Sequence, residues 1–167
     1  MELQSRDAPL PPFFAAVRRR HPDVDIVLLP DETPPDLPLL GPVSGRVLAD
    51  SLDLVTGIAT RAWAAAVGDG QVPESRFVFG PDPTSVVARA RASTGLGTSP
   101  LEPLAAALSM GGWALGHESG AVSLLLARRG TNQVVASFAE ETGTFVLTVT
   151  SDPLPVGAER ARELARR

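Results

Sequence analysis

The 167-residue chain contains no cysteine, no tyrosine and no lysine, so that all 15 of its basic residues are arginine. Each absence closes off a chemistry. Without cysteine there is no disulfide framework, thiol nucleophile, iron–sulfur cluster or thiolate zinc site. Without lysine there is no Schiff base, no pyridoxal phosphate anchor and no P-loop lysine. No apolar run reaches the roughly 20 residues that a membrane-spanning helix needs. The first residues, MELQSRDAPLPPFF, place acidic groups and prolines where a signal peptide would have a basic start and an unbroken apolar stretch. The expectation is a cytoplasmic protein with no membrane partner. Arginine in place of lysine, with abundant alanine, glycine, proline and valine, is what GC-rich codons write and points to a GC-rich bacterium.

What is present is ordinary in bulk. Hydrophobic residues make up 44% and charged residues 20%, and a chain of this length buries about 70% of its unfolded surface as one domain. A single domain over 1–167 is expected. The net charge of −4 and a pI near 5.1 argue against a nucleic-acid binder, which needs a strong basic field. Charge is unevenly spread: Asp23, Asp25, Asp31, Glu32, Asp36, Asp50 and Asp53 stand against Arg46 alone, while Arg160, Arg162, Arg166 and Arg167 crowd the last residues. Such asymmetry can orient a partner.

Periodicity divides the chain. Val24–Leu29 reads as a buried strand between Pro22 and Pro30, and the five prolines within 30–42 make a stiff surface connection. Ser44 caps a helix running to about Val67, with Leu52 and Val55 inward and Asp53 and Arg61 outward. Arg76–Gly80 forms a second strand. Asp82-Pro83-Thr84 has the pattern of an N-cap with proline in the first turn, predicting a helix that turns Val86, Val87 and Ala90 inward. Strand, helix and strand in that order would set Val24–Leu29 and Phe77–Phe79 parallel. A further helix is expected to end at Met110.

Beyond Gly111-Gly112 the period becomes two. Trp113 and Leu115, then Val122, Leu124 and Leu126, then Val134, Ala136 and Phe138, then Phe145, Leu147 and Val149 mark four strands, with Gly- or Asn-containing turns between them. The fold class is therefore α+β: a four-stranded antiparallel meander over about 113–150, helices packed on its apolar face, and an N-terminal strand–helix–strand unit. The last strand, ending Thr148-Val149-Thr150, is placed at an edge of the sheet, where a second copy could cover it.

Two sets of residues are candidates for chemistry. His117 beside Glu118, at a strand end, offers an acid–base pair or metal ligands, but lacks the helical spacing of a zinc motif. Asp31, Glu32 and Asp82 would converge at the carboxyl ends of the two strands if those are parallel neighbours, and three carboxylates suit Mg²⁺ or Ca²⁺. The competing account makes Asp82 a cap and the others solvated loop residues. No nucleophile elbow or phosphate loop is present: Ser119 follows Glu118 in a hairpin turn, and Gly95-Leu96-Gly97 follows no predicted strand. The failure of each catalytic pattern favours a non-catalytic binding, adaptor or chaperone-like protein, without cofactor. It would present a helix or sheet face to a protein partner or to its own copy as a homodimer. The rival is a small metal-dependent enzyme or ligand-binding domain built on the residues just named.

Overall fold

The computed structural model describes residues 41–68 and 72–166, together with Arg20. The chain divides into two units, Met1–Pro38 and Leu39–Arg167, and the second is described here. Val24–Leu29, Asp31 and Glu32 lie outside the described residues.

The first helix, α1, spans Gly45–Val67 and begins where the Ser44 side chain accepts a hydrogen bond from the Val47 amide at 3.4 Å. Its apolar stripe buries Leu48, Val55, Ile58, Ala59, Ala62 and Trp63, spacings of three, four and seven that keep one face inward. Gly68 ends it with φ of 94°, a left-handed conformation that glycine adopts without cost. Asp53 and Arg61 are exposed and Val55 is buried, as expected, whereas Leu52 is only half-buried.

Seven strands follow: β1 (Glu74–Phe79), β2 (Ser85–Gly95), β3 (Ala114–Glu118), β4 (Val122–Arg129), β5 (Asn132–Ala139), β6 (Thr144–Thr150) and the short β7 (Leu154–Pro155). Helix α2 (Leu101–Met110) lies between β2 and β3, and α3 (Ala158–Leu164) closes the chain. The fold is α+β. The strand order is β1-β2-β6-β5-β4-β3, with β7 pairing the start of β2, and every pairing is antiparallel.

Two expectations are corrected here. Residues 85–95 are a strand, not a helix, because Ala88, Arg89, Ala90, Arg91 and Ala92 alternate small and charged at period two, which a strand sorts onto two faces and a helix would scatter. Asp82 caps all the same, since an Asp accepting from the amide two residues on serves a turn as well as a helix. Phe77–Phe79 pairs antiparallel with β2; its expected parallel neighbour, Val24–Leu29, lies outside the described residues. Finally, β6 is central, between β2 and β5, so the edge rationale for self-pairing through Thr148–Thr150 falls.

The three described helices lie on one face. The main core joins Val55, Ala59 and Trp63 of α1 and Leu104 and Leu108 of α2 to the inward row of β2, β6, β5 and β4. Trp63 meets Phe145 with ring centroids 5.6 Å apart. A smaller cluster sets Ala161 of α3 with Leu48, Val86 and Val156. On β4 the inward residues are Leu125 and Ala127, opposite Ala136 and Val134. Leu124 and Leu126, expected inward, face the other way. Val122-Ser-Leu-Leu-Leu-Ala carries apolar residues at both phases, so alternation alone could not choose.

Leu147 is fully buried, and Leu147→Ala is expected to lower unfolding free energy by about 2–5 kcal/mol. Half-buried Leu52→Ala should cost less than Leu147→Ala, and Asp53→Ala should stay within about 0.5 kcal/mol. Urea unfolding monitored by tryptophan fluorescence checks the order.

Candidate functional site

Antiparallel register places directly opposed residues on the same face, so the pairings assign every strand residue to the helix-covered face or to the open one. Across the open face, one row runs Arg76, Arg89, Thr150, Gln133, Arg128 and Ala114, and the next runs Glu74, Arg91, Thr148, Val135, Leu126 and Gly116. A third row holds Ser93, Val146, Ser137, Leu124 and Glu118. The middle of this face is therefore apolar, with Leu124, Leu126, Val135 and Val146 each only partly buried. Four arginines flank it, Arg76, Arg89, Arg91 and Arg128.

The arginines are arranged unusually. Arg76 is the direct cross-strand partner of Arg89, and Arg91 stands beside them opposite Glu74. Opposed like charges destabilise a sheet. Among the described residues no carboxylate forms an ion pair with these arginines; the pair of Arg46 with Asp50, at 3.9 Å, lies on the surface of α1. Glu74, Arg76, Arg89, Arg91 and Ser93 line a depression of about 280 Å³. A second, of about 490 Å³, is bounded by Arg128, Gln133, Thr150 and Asp152. The helix side carries a third, of about 300 Å³, where Arg129 lies 5.1 Å above the Trp113 ring and donates to the Gly111 carbonyl at 2.9 Å. That arginine is already engaged.

The residues singled out from sequence do not assemble. His117 and Glu118 are consecutive in β3 and so point to opposite faces: His117 opposes inward Leu125, and Glu118 opposes Leu124 on the open face. Adjacency in a strand separates side chains. Both are exposed. Asp82 is tied into the β1–β2 turn: its Oδ1 accepts from the Thr84 amide at 2.8 Å and the Thr84 hydroxyl at 2.6 Å, and its Oδ2 from the Ser85 hydroxyl at 2.8 Å. These bonds, the Thr84 hydroxyl foremost, hold its carboxyl below the usual aspartate value. Asp31 and Glu32 lie outside the described residues, and no group of three potential metal ligands occurs among those described. Arg89 and Arg91 were hidden by the helix expected over their segment; the strict Ala–Arg alternation was the signal that could have found them.

The described residues form a two-layer α+β fold with one sheet face uncovered by the described helices. Comparison with protein-family models, curated proteins and solved structures gives no significant match. None of the described helices is long and apolar enough to cross a membrane.

Two outcomes test this geometry. Arg76→Glu turns an opposed like pair into an opposite pair and should raise stability by about 0.2–1 kcal/mol in urea unfolding. Because the Asp82 carboxyl is depressed by folding, its contribution is complete above the ordinary aspartate value of about 3.9 and is lost as pH falls through the lower folded value. Acid titration of stability should therefore show a weaker loss below about pH 4 in Asp82→Asn than in the native chain.

Proposed function

We propose that this protein is a non-catalytic adaptor or chaperone-like binding protein whose open sheet face takes an acidic, partly apolar segment of another polypeptide. The observation that supports it is the composition of that face: an apolar centre of Leu124, Leu126, Val135 and Val146 beside four arginines without ion pairs among the described residues. Apolar side chains on an uncovered sheet are a standing cost in water, removed when a partner covers them. Charge selects the partner. Arg76, Arg89, Arg91 and Arg128 against Glu74, Glu118 and Asp152 leave this face one positive charge in excess among the described residues, although the whole chain is negative. A second copy would bring positive against positive. An acidic segment meets complementary potential and is steered to the face.

A photo-crosslinking residue at position 126 should capture one chain in cells that make the protein, and the same residue at exposed Met110 on α2 should not. The captured chain, purified, should bind the native protein and lose more than tenfold in affinity to Leu126→Asp and to Arg89→Gln. Capture of a second copy of this protein, or equal capture from both positions, would overturn the reading.

A further inference from the structure

We propose that Arg76, Arg89 and Arg91 form a binding site for a phosphate monoester dianion, presented as a phosphorylated side chain by the segment that docks on the open face. The chemistry of the site stands on the register of β1 and β2; the source of the phosphate rests on the docking reading above.

The argument begins with two residues that repel each other. Arg76 and Arg89 are directly opposed, which puts their Cα atoms about 4.5–5.5 Å apart and their side chains on one face. Arg91 is two residues along β2 from Arg89 and so on that face as well. The neighbours on β6 in the same rows, Thr150 and Thr148, bring hydroxyl groups and no negative charge. Glu74 is the single carboxylate among the described residues lining the depression that the three arginines share, so the described block carries a net charge of +2.

That charge fits one ligand class better than another. A carboxylate side chain is a monoanion with two oxygens and would leave the block positive. A phosphate monoester carries about −1.5 to −2 charges at pH 7 and three terminal oxygens. Guanidinium groups meet such oxygens in pairs through fixed forks of N–H donors, a geometry that lysine would not supply. Thr148 and Ser93 stand next to the arginines as further hydroxyl donors.

The strands display a physical reason why a phosphate carried on a nucleic acid fits this face poorly. Phe77, Phe138 and Phe145 belong to the helix-covered side, and the rows of the open face contain no aromatic ring on which a base could stack. Stacking supplies about 1–3 kcal/mol per base in single-strand binders. The phosphoryl group without the base is what this face can hold.

Titration of the full chain with sodium phosphate at pH 7.5, followed by NMR of the arginine Nε–H groups, should give saturable shifts at Arg76 and Arg89. Sodium chloride at matched ionic strength should not reproduce them. Two synthetic peptides, acetyl-LESLEL-amide with serine or with phosphoserine, give the second arm: the phosphorylated form should bind at least tenfold more tightly. Arg89→Gln should bring that ratio close to one while leaving the protein folded, since it relieves a like-charge pair; Arg162→Gln on α3 should leave the ratio unchanged. Shifts equal in chloride and phosphate, or a ratio that survives Arg89→Gln, would each overturn the site. Saturation by inorganic phosphate with no tighter binding of the phosphopeptide would overturn the polypeptide source, as would tighter binding of a single-stranded oligonucleotide. Leu126→Asp separates the two proposals: loss of peptide affinity with phosphate saturation intact supports both, and unchanged peptide affinity with phosphate saturation intact refutes the docking reading alone.

Discussion

The packing of α1 on the alanine row of β2 sets the rest of the structure. Ala88, Ala90 and Ala92 are almost wholly buried, and their small side chains let a helix bearing Trp63 lie against the sheet with its indole directed to Phe145 on the neighbouring strand. Larger residues in that row would push the helix outward and open voids beneath it, which interiors packed near crystal density do not tolerate. β2 is also the strand on which the topology turns, since it pairs with β1, β6 and β7. The residues between those alanines must face the other way, and they are Arg89 and Arg91. One alternation thus builds the core and the charged site together.

The turns that hold β2 in place are specific. Entry is fixed by Asp82, whose carboxylate takes three hydrogen bonds from Thr84 and Ser85, and by Gly80, where a Cβ would collide with the Ser85 hydroxyl. The Gly80 amide donates to the Ser85 carbonyl at 3.0 Å, which closes the hairpin. At the far end the Leu96 amide donates to the Gly143 carbonyl at 2.7 Å, and Gly143 has φ of 62° with no room for a side chain against Leu96. Thr56 on α1 lies within hydrogen-bond distance of both the Leu52 carbonyl, 2.7 Å, and the Ser75 hydroxyl, 2.8 Å, linking the helix to the edge strand. The register that opposes Arg76 to Arg89 is thereby pinned from both ends and from the helix side.

What could be read in the sequence followed from how strongly each pattern excludes its rival. Ser44 with the apolar stripe that follows allowed only a helix, and the period-two segments after Gly112, separated by glycine-bearing turns, allowed only strands. β2 was misread because alanine and arginine both favour helices and the preceding Asp-Pro-Thr resembles a cap; the tertiary demand for a small-residue strand under α1 outweighed local propensity. β4 was mis-phased because three successive leucines fit either face, and only pairing with β5 decides. The site was illegible for the same two reasons, since it is assembled from the outward residues of a strand read as a helix and the apolar residues of a strand read one residue out of phase. His117 and Glu118 attracted attention by being neighbours in sequence, which in an extended strand keeps them apart.

The charged block also says something about what the fold tolerates. At physiological ionic strength the screening length is about 8 Å, which weakens the repulsion between Arg76 and Arg89 without reversing its sign. A threonine at either position would suit an exposed strand and carry no such cost, and threonines occupy the matching positions on β6. Local rules are broken here without a compensating contact among the described residues, on a strand whose inward side obeys every rule of packing. Departures of that kind are where function is sought first, because a folded core can carry a small local penalty that binding later relieves. The stability held in the alanine row and its helix is what lets three arginines remain together on the other face.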